Sequence, residues 1–231
     1  MSDLRVDGYE QISFWQEDGV GVIVLRSANG VATDQLFDEL ALALSQASID
    51  DHVRSLALTG FNLKFLREVR FDGSSIESFL SYLERLRTFA SIFYSIRKNV
   101  YSIVNGDAIN IGFEIALLSD MIISSDLARL GFSDDYQYRL LGSSTGSRFN
   151  FPAESKAAVG RNCDFVLNSS TLLEDAKKLI LKDSINRYLP RRVKFFDFEK
   201  VILMERELLI DHYKYLISNQ KNDSSDHDSN K

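Results

Sequence analysis

The chain has 231 residues, 45% of them hydrophobic and 26% charged, an ordinary globular composition with enough length to bury one large core or two small ones. Its net charge of -6 leaves no basic footprint for DNA or RNA, although a few local Lys or Arg residues suffice to meet a phosphate-bearing ligand. A single cysteine, Cys163, excludes an internal disulfide framework and fits a reducing compartment. The start MSDLRVDGYEQISFW lacks the apolar run of a signal peptide, and no stretch reaches the ~18 apolar residues of a membrane span, so a soluble, cytoplasmic protein is expected.

In chain order, QISFWQ and the β-branched GVGVIVLRS (19–27) read as two strands joined across the EDG turn into a hairpin. A helix follows, with Thr33 as N-cap, Asp34 in the first turn, and Leu36, Leu40 and Leu44 at helical spacing. SLALTG (55–60) is the next strand. A long helix then opens with Ser74 and Glu77 at capping-box spacing, its apolar face running Ile76, Leu80, Leu83, Leu86, Ala90 and Phe93. VYSIVNG is a third buried strand, NIGFEIALLSD a short helix, MIISSD a fourth strand, and ARLGF an extended turn out of it. Short apolar strands alternating with helices predict an α/β layered domain with largely parallel strands. TLLEDAKKLILKDSINRYL and FDFEKVILMERELLIDHYKYLI are strong helical patterns, and SNQKNDSSDHDSNK is polar enough to predict a disordered tail. The division expected is a core over 1–142, a C-terminal helical region over 143–217 and a tail over 218–231.

Glu114 is the first residue to ask about, because a lone carboxylate on an apolar segment is costly unless it is paired, hydrogen-bonded or neutral. Its helix begins just after the VNG strand end, where the N–H groups near Asn110, Ile111 and Gly112 have no intrahelical acceptor and form a ready site for developing negative charge. Taken alone, Glu114 reads as half of an ion pair at the edge of the core. Asp134 changes that balance, because two carboxylates in one cleft divide acid and base roles when their surroundings differ. Other groups carry less. His52, His212 and His227 lie far apart in sequence and indicate neither a metal site nor a triad. Cys163 reads as a packing residue, and Arg191, Arg192 and Lys194 as a solvated helix start. The apolar stripe Val201/Ile202, Leu208/Leu209 and Tyr215/Leu216 fits either core packing or an oligomer surface.

The segments SLALTG and RKNVYSIVNGDAINIGFEIALLSDMIISSDLARLGFSD resemble the crotonase (enoyl-CoA hydratase/isomerase) superfamily. That family has a strand ending in T-G, a K-P-V-I-A-A-V-N-G strand, an A-x-G-G-G-x-E-L-A-L-x-C-D helix start and an A-x-F-G-x-P-E turn. The matching residues are Thr59–Gly60, Lys98, Val100, Val104–Asn105–Gly106, Ala108, Gly112, Glu114, Ala116–Leu117, Asp120, Ala128, Gly131 and Asp134, without a gap from Lys98 to Asp134. Thr145–Gly146, Ala153–Glu154 and Gly160 continue the likeness, which covers most of the chain except the tail.

The resemblance implies an α/β crotonase-like ββα superhelix core with C-terminal helices, and an acyl thioester as substrate, on CoA or an acyl-carrier protein, with CoA as part of the substrate and no separate cofactor. It implies an oxyanion hole made by the N–H groups of Val69 and Ile111, with Gly112 beside the substrate, and Glu114 and Asp134 as the acid–base pair. It also implies a homotrimer or hexamer, no metal, no nucleic acid and no membrane. The chain departs from the family pattern in four places. The G-G-G run is Asn110–Ile111–Gly112, Glu68 and Arg70 replace a glycine and an aspartate of the S-A-G-A-D-like loop, Asp134 is shorter than the usual Glu, and the P-G-x-G-G segment is mostly missing. Three readings stay open: a hydratase-type enzyme using both acids, an isomerase or decarboxylase using one, and a catalytically silent subunit.

Overall fold

The computed structural model describes residues 5–6, 8–70, 75–134, 136, 158–185 and, within 206–214, all but 208 and 212. The chain opens with strands β1 (Arg5–Val6), β2 (Ile12–Glu17) and β3 (Val20–Leu25). Asp18 and Gly19 both take positive φ (53° and 82°), the two-residue turn whose twist suits a hairpin, so β2 and β3 pair antiparallel with Glu17 opposite Val20. After β4 (Val31–Ala32), Thr33 caps helix α1 (Asp34–Ile49) by accepting from Leu36 N at 3.3 Å. Lys98 closes the other end of α1, donating to Ala47 O and Asp50 O at 2.7 and 2.6 Å, where a cation also suits the helix dipole.

Strands β5 (Ser55–Gly60) and β6 (Glu68–Val69) precede helix α2 (Ile76–Ser95). The cap of α2 is Ser75, which accepts from Ser78 N, one residue later than the Ser74–Glu77 box expected from spacing. Glu77 still lies in the first turn, where its own N–H and Ser75 hold its carboxyl below the ordinary value. Next come β7 (Asn99–Val104), β8 (Ala108–Ile109), helix α3 (Ile111–Leu118), β9 (Met121–Ser125) and β10 (Arg129–Gly131). The later described elements are β11 (Ala158–Val159), β12 (Phe165–Leu167) and helix α4 (Leu172–Ile185).

The main sheet has the order β1-β2-β3-β5-β7-β9-β12, with β3, β5, β7, β9 and β12 parallel. Central strands of a parallel sheet are covered on both faces, which is why every residue of β5 and β7 is buried. Alternate residues serve the two faces. Ile23, Leu25, Leu56, Leu58, Val100 and Val104 pack under α1, α2 and α3 in the larger core. Val20, Ala57, Tyr101, Ile103 and Ile123 face the other way, onto Leu172, Ala176 and Ile180 of α4.

Two small sheets, β11-β10-β8 and β4-β6, stand at the ends of the main strands. The region 143–217, expected to be helical, therefore also supplies β11 and β12. The boundary at 142 and the tail at 218–231 lie outside the described residues. On α2 the buried face includes Phe79, Tyr82 and Phe89 beside Leu83, Leu86, Ala90 and Phe93, whereas Ile76 and Leu80 are half-buried.

Described residues of the last helical pattern, within 206–214, are helical and return to α2. Leu209 is buried in the larger core, Tyr213 stacks on Phe79 with ring centroids 4.2 Å apart, and Arg206 Nε lies 3.0 Å from Glu84. Of the expected stripe Leu209 packs within the chain, whereas Val201, Ile202, Leu208, Tyr215 and Leu216 lie outside the described residues. None of the described helices is long and apolar enough to cross a membrane.

Candidate active site

The site is assembled where β5 and β7 end. Asn105 clamps the two strand ends, donating to Gly60 O at 2.6 Å and accepting from Gly60 N at 3.2 Å. The loop after β5 then lies directly on backbone that has no side chain. A Cβ on Gly60, Gly106 or Gly112 would overlap the carbonyl of Lys64, Leu63 or Leu66 respectively. Close approach of two backbones requires glycine at these three positions, and it brings the chain of 63–69 against the start of α3. Ile109 N donates to Leu66 O at 3.0 Å, which fixes that approach.

Asn110 turns the chain from β8 into α3 with φ of 54°, a conformation that Asn tolerates better than most residues. Its side chain also reaches outward, accepting from Ser133 N and Ser133 Oγ at 2.9 and 3.0 Å. Asn110 O accepts from Glu114 N at 2.9 Å, the first regular bond of the helix. The amides of Ile111, Gly112 and Phe113 therefore precede any intrahelical acceptor. The Ile111 side chain is fully buried in the larger core.

Val69 lies on β6, which packs against α3. The backbone N–H groups of Arg67 and Arg70 donate to Gly30 O and Ala32 O of the neighbouring strand segment, both at 2.8 Å. Gly112 lies against Leu66, and Val69 is carried on a strand that packs against α3.

Glu114 is fully buried (0% exposed) in the first turn of α3, and Tyr136 Oη donates to its Oε1 at 2.8 Å. Above it on α2 stands Tyr82, whose phenol is held well above its ordinary value by burial, then by the charges of Asp34 and Glu114. Phe132 stacks on Tyr136 (5.9 Å, 4°) and meets Phe113 edge-on (5.1 Å, 68°), so the carboxylate has an aromatic wall. Asp134 is exposed on the turn between Ser133 and Tyr136, closed by a bond from Tyr136 N to Ser133 O at 3.1 Å. The two acids therefore sit in opposite surroundings, one dry and one wet, and it is Tyr136 from the turn of Asp134 that touches Glu114. Neither tyrosine is visible as a site residue in the sequence. Tyr136 carries no motif, and Tyr82 reads as one more aromatic on a helix face.

Beside this site a cavity of about 430 Å³ is lined by Gly30, Lys64, Phe65, Arg67 and Asp107, among others. Burial would raise the Asp107 carboxyl, but Arg129 outweighs it with a 2.6 Å ion pair and holds the group below its ordinary value. Lys64 bonds only weakly, to Asn29 Oδ1 at 3.3 Å. Cys163 is half-buried against the larger core, its thiol pushed up by burial and by Asp164. Among the described residues no three His, Cys, Asp or Glu side chains converge as a metal site would require.

No protein-family model and no curated protein matches the sequence. Solved structures do match. An enoyl-CoA hydratase subunit I from Geobacillus kaustophilus HTA426 is similar over 96% of this chain and 97% of its own, with 19% identity and a TM-score of 0.67. An enoyl-CoA hydratase from Bacillus halodurans superimposes over 89% of this chain and 96% of its own, with 15% identity and a TM-score of 0.74. A Bacillus anthracis enoyl-CoA hydratase shares 20% identity over 75% of this chain and 76% of its own, with a TM-score of 0.68. The parallel sheet, the α3 start at its edge and these superpositions agree, and the chain has the crotonase fold of the enoyl-CoA hydratase structures.

Proposed function

We propose that the protein is a crotonase-like enzyme acting on an acyl thioester of CoA or of a carrier protein. The Val69 and Ile111 amides form its oxyanion hole, Glu114 is the principal acid–base group and Asp134 the second. The observation that carries this reading is Glu114, a fully buried carboxyl one turn inside a helix whose first amides precede any intrahelical acceptor. The thioester oxygen accepts from the two amides, which stabilise the negative charge that develops as the α-carbon becomes enolate-like. Glu114, within the same helical turn, gives or takes the α-proton.

In hydration, the second acid activates the water that adds to the β-carbon, while the α-carbon receives a proton. In isomerisation, one carboxylate carries the proton from the α- to the γ-carbon and no water adds. The exposure of Asp134, together with Tyr136 of the same turn resting on Glu114, favours the one-acid reaction as the second reading. Lys64 and Arg67 at the 430 Å³ cavity supply cations for the phosphates that both carriers bear. The same reading makes the protein a cytoplasmic homotrimer or paired trimer.

Calorimetry with crotonyl-CoA and free CoA, followed by loss of the enoyl-thioester absorbance, tests the assignment. Glu114→Gln should lower kcat by about two orders of magnitude or more with either substrate type. Asp134→Asn should do so for water addition but not for isomerisation of a 3-enoyl-CoA. Parent-level turnover in Glu114→Gln overturns the role of Glu114 as the principal acid–base group, and absence of binding turns the search to protein partners of a silent subunit.

A further inference from the structure

The hydrogen bonds around Glu114 close on themselves. Glu114 N donates to Asn110 O at 2.9 Å, and Asn110 Oδ1 accepts from Ser133 N and Ser133 Oγ at 2.9 and 3.0 Å. Ser133 O in turn accepts from Tyr136 N at 3.1 Å, and Tyr136 Oη donates to Glu114 Oε1 at 2.8 Å. The path leaves the backbone of Glu114 and returns to its carboxyl, by way of the residue before α3 and the turn after β10.

The ring of Tyr136 is seated independently of that last bond. It lies parallel to Phe132 (5.9 Å, 4°), and Phe132 meets Phe113 of α3 edge-on (5.1 Å, 68°). The hydroxyl is therefore presented to Oε1 by a ring whose orientation is set by stacking. A glutamate side chain has several torsions, and an unheld carboxyl samples many orientations. Proton transfer to or from carbon demands a defined one, because a misplacement of about 1 Å can cost about a hundredfold in rate. Asn110 also leads directly into Ile111, so a single residue ties the turn that aims the carboxyl to the amide assigned to the thioester oxygen.

We propose that Tyr136 is a positioning residue for Glu114, its hydroxyl fixing the carboxyl in the orientation that transfers the α-proton, with Asn110 and Ser133 holding the turn that carries it. This role rests on the thioester reading above. It gives the turn of Asp134 a part in the reaction that does not require Asp134 itself to reach the substrate.

The test is a double-mutant cycle in the full chain: parent, Tyr136→Phe, Glu114→Gln and the double variant. Each is assayed with crotonyl-CoA and with a 3-enoyl-CoA over a range of concentrations, with kcat expressed per folded chain from its melting curve. Tyr136→Phe keeps the ring on Phe132 and removes only the hydroxyl. Its kcat should fall about ten- to a hundredfold on whichever substrate the parent turns over. KM should stay within about twofold, because Lys64 and Arg67 at the 430 Å³ cavity are untouched. In the Glu114→Gln background the same change should lower kcat no further, since no proton-transferring carboxyl is left to orient. General damage to the fold would lower both backgrounds alike. A parent that turns over neither substrate overturns the thioester reading, and this role with it. A parent that turns over while Tyr136→Phe keeps its kcat overturns the role of Tyr136 alone, as do losses that multiply in the double variant.

Discussion

Tyr136 is the residue through which a surface turn reaches the buried Glu114 carboxyl. Its hydroxyl donates to Oε1 at 2.8 Å, while its ring lies parallel to Phe132. The two contributions are separable, because Tyr136→Phe removes the hydroxyl and keeps the stacked ring. Hydrogen bonds to charged groups contribute about 1.5–3 kcal/mol, and a buried acceptor that loses its donor bears the full desolvation cost. Tyr136→Phe is therefore expected to lose about 1–3 kcal/mol of stability in denaturant unfolding. An unchanged midpoint with unchanged slope would mean that the hydroxyl bond is worth nothing to the fold.

At the scale of elements, the join between α3 and the 63–69 segment depends on glycines more than on side-chain packing. Gly112→Ala would drive its methyl into Leu66 O, and neither partner is a flexible side chain. Either α3 or the 63–69 segment must move. At Gly21, by contrast, an added methyl meets mainly the end of the Leu56 side chain at 2.9 Å, which has freedom to shift. Gly112→Ala should therefore cost upwards of about 3 kcal/mol, and Gly21→Ala distinctly less, in paired urea unfolding curves. Equal losses at the two positions would show that the backbone contact is not the constraint.

The same junction shows what the sequence made legible. VNG followed by a short apolar helix exposed the strand end, the helix start and Glu114, because turn chemistry and hydrophobic periodicity are local signals. Thr33 was legible as a cap for the same reason, whereas two adjacent serines left the start of α2 ambiguous by one residue. Tyr82 and Tyr136 were not legible. Their meaning comes from α2 and the 133–136 turn closing over α3, and no spacing within either segment records that meeting. Phe79 and Phe89 were missed because the buried face of α2 is wider than one stripe of leucines.

On the scale of the whole molecule, the sheet is closed on one face by α4 and on the other by α1, α2 and α3, and the helical residues of 206–214 return to that second face. Sequence spacing alone left the late apolar stripe open to two roles, core packing or contact between subunits. The packing of Leu209 distinguishes them for that residue. It is 8% exposed within a single chain, joined to the larger core beside the Phe79–Tyr213 stack. Truncating a buried leucine removes transfer free energy and leaves a cavity, together about 2–5 kcal/mol. In a chain of this length each kcal/mol lowers the thermal midpoint by about 2–4 °C. Leu209→Ala should thus melt several degrees earlier, in one transition shared with the core, because Leu209 is itself part of the larger core. Sedimentation of the same variant should give the parent's oligomeric mass. A variant that keeps the parent's melting midpoint but dissociates would instead place Leu209 between subunits, and would move the stripe from the core to the interface.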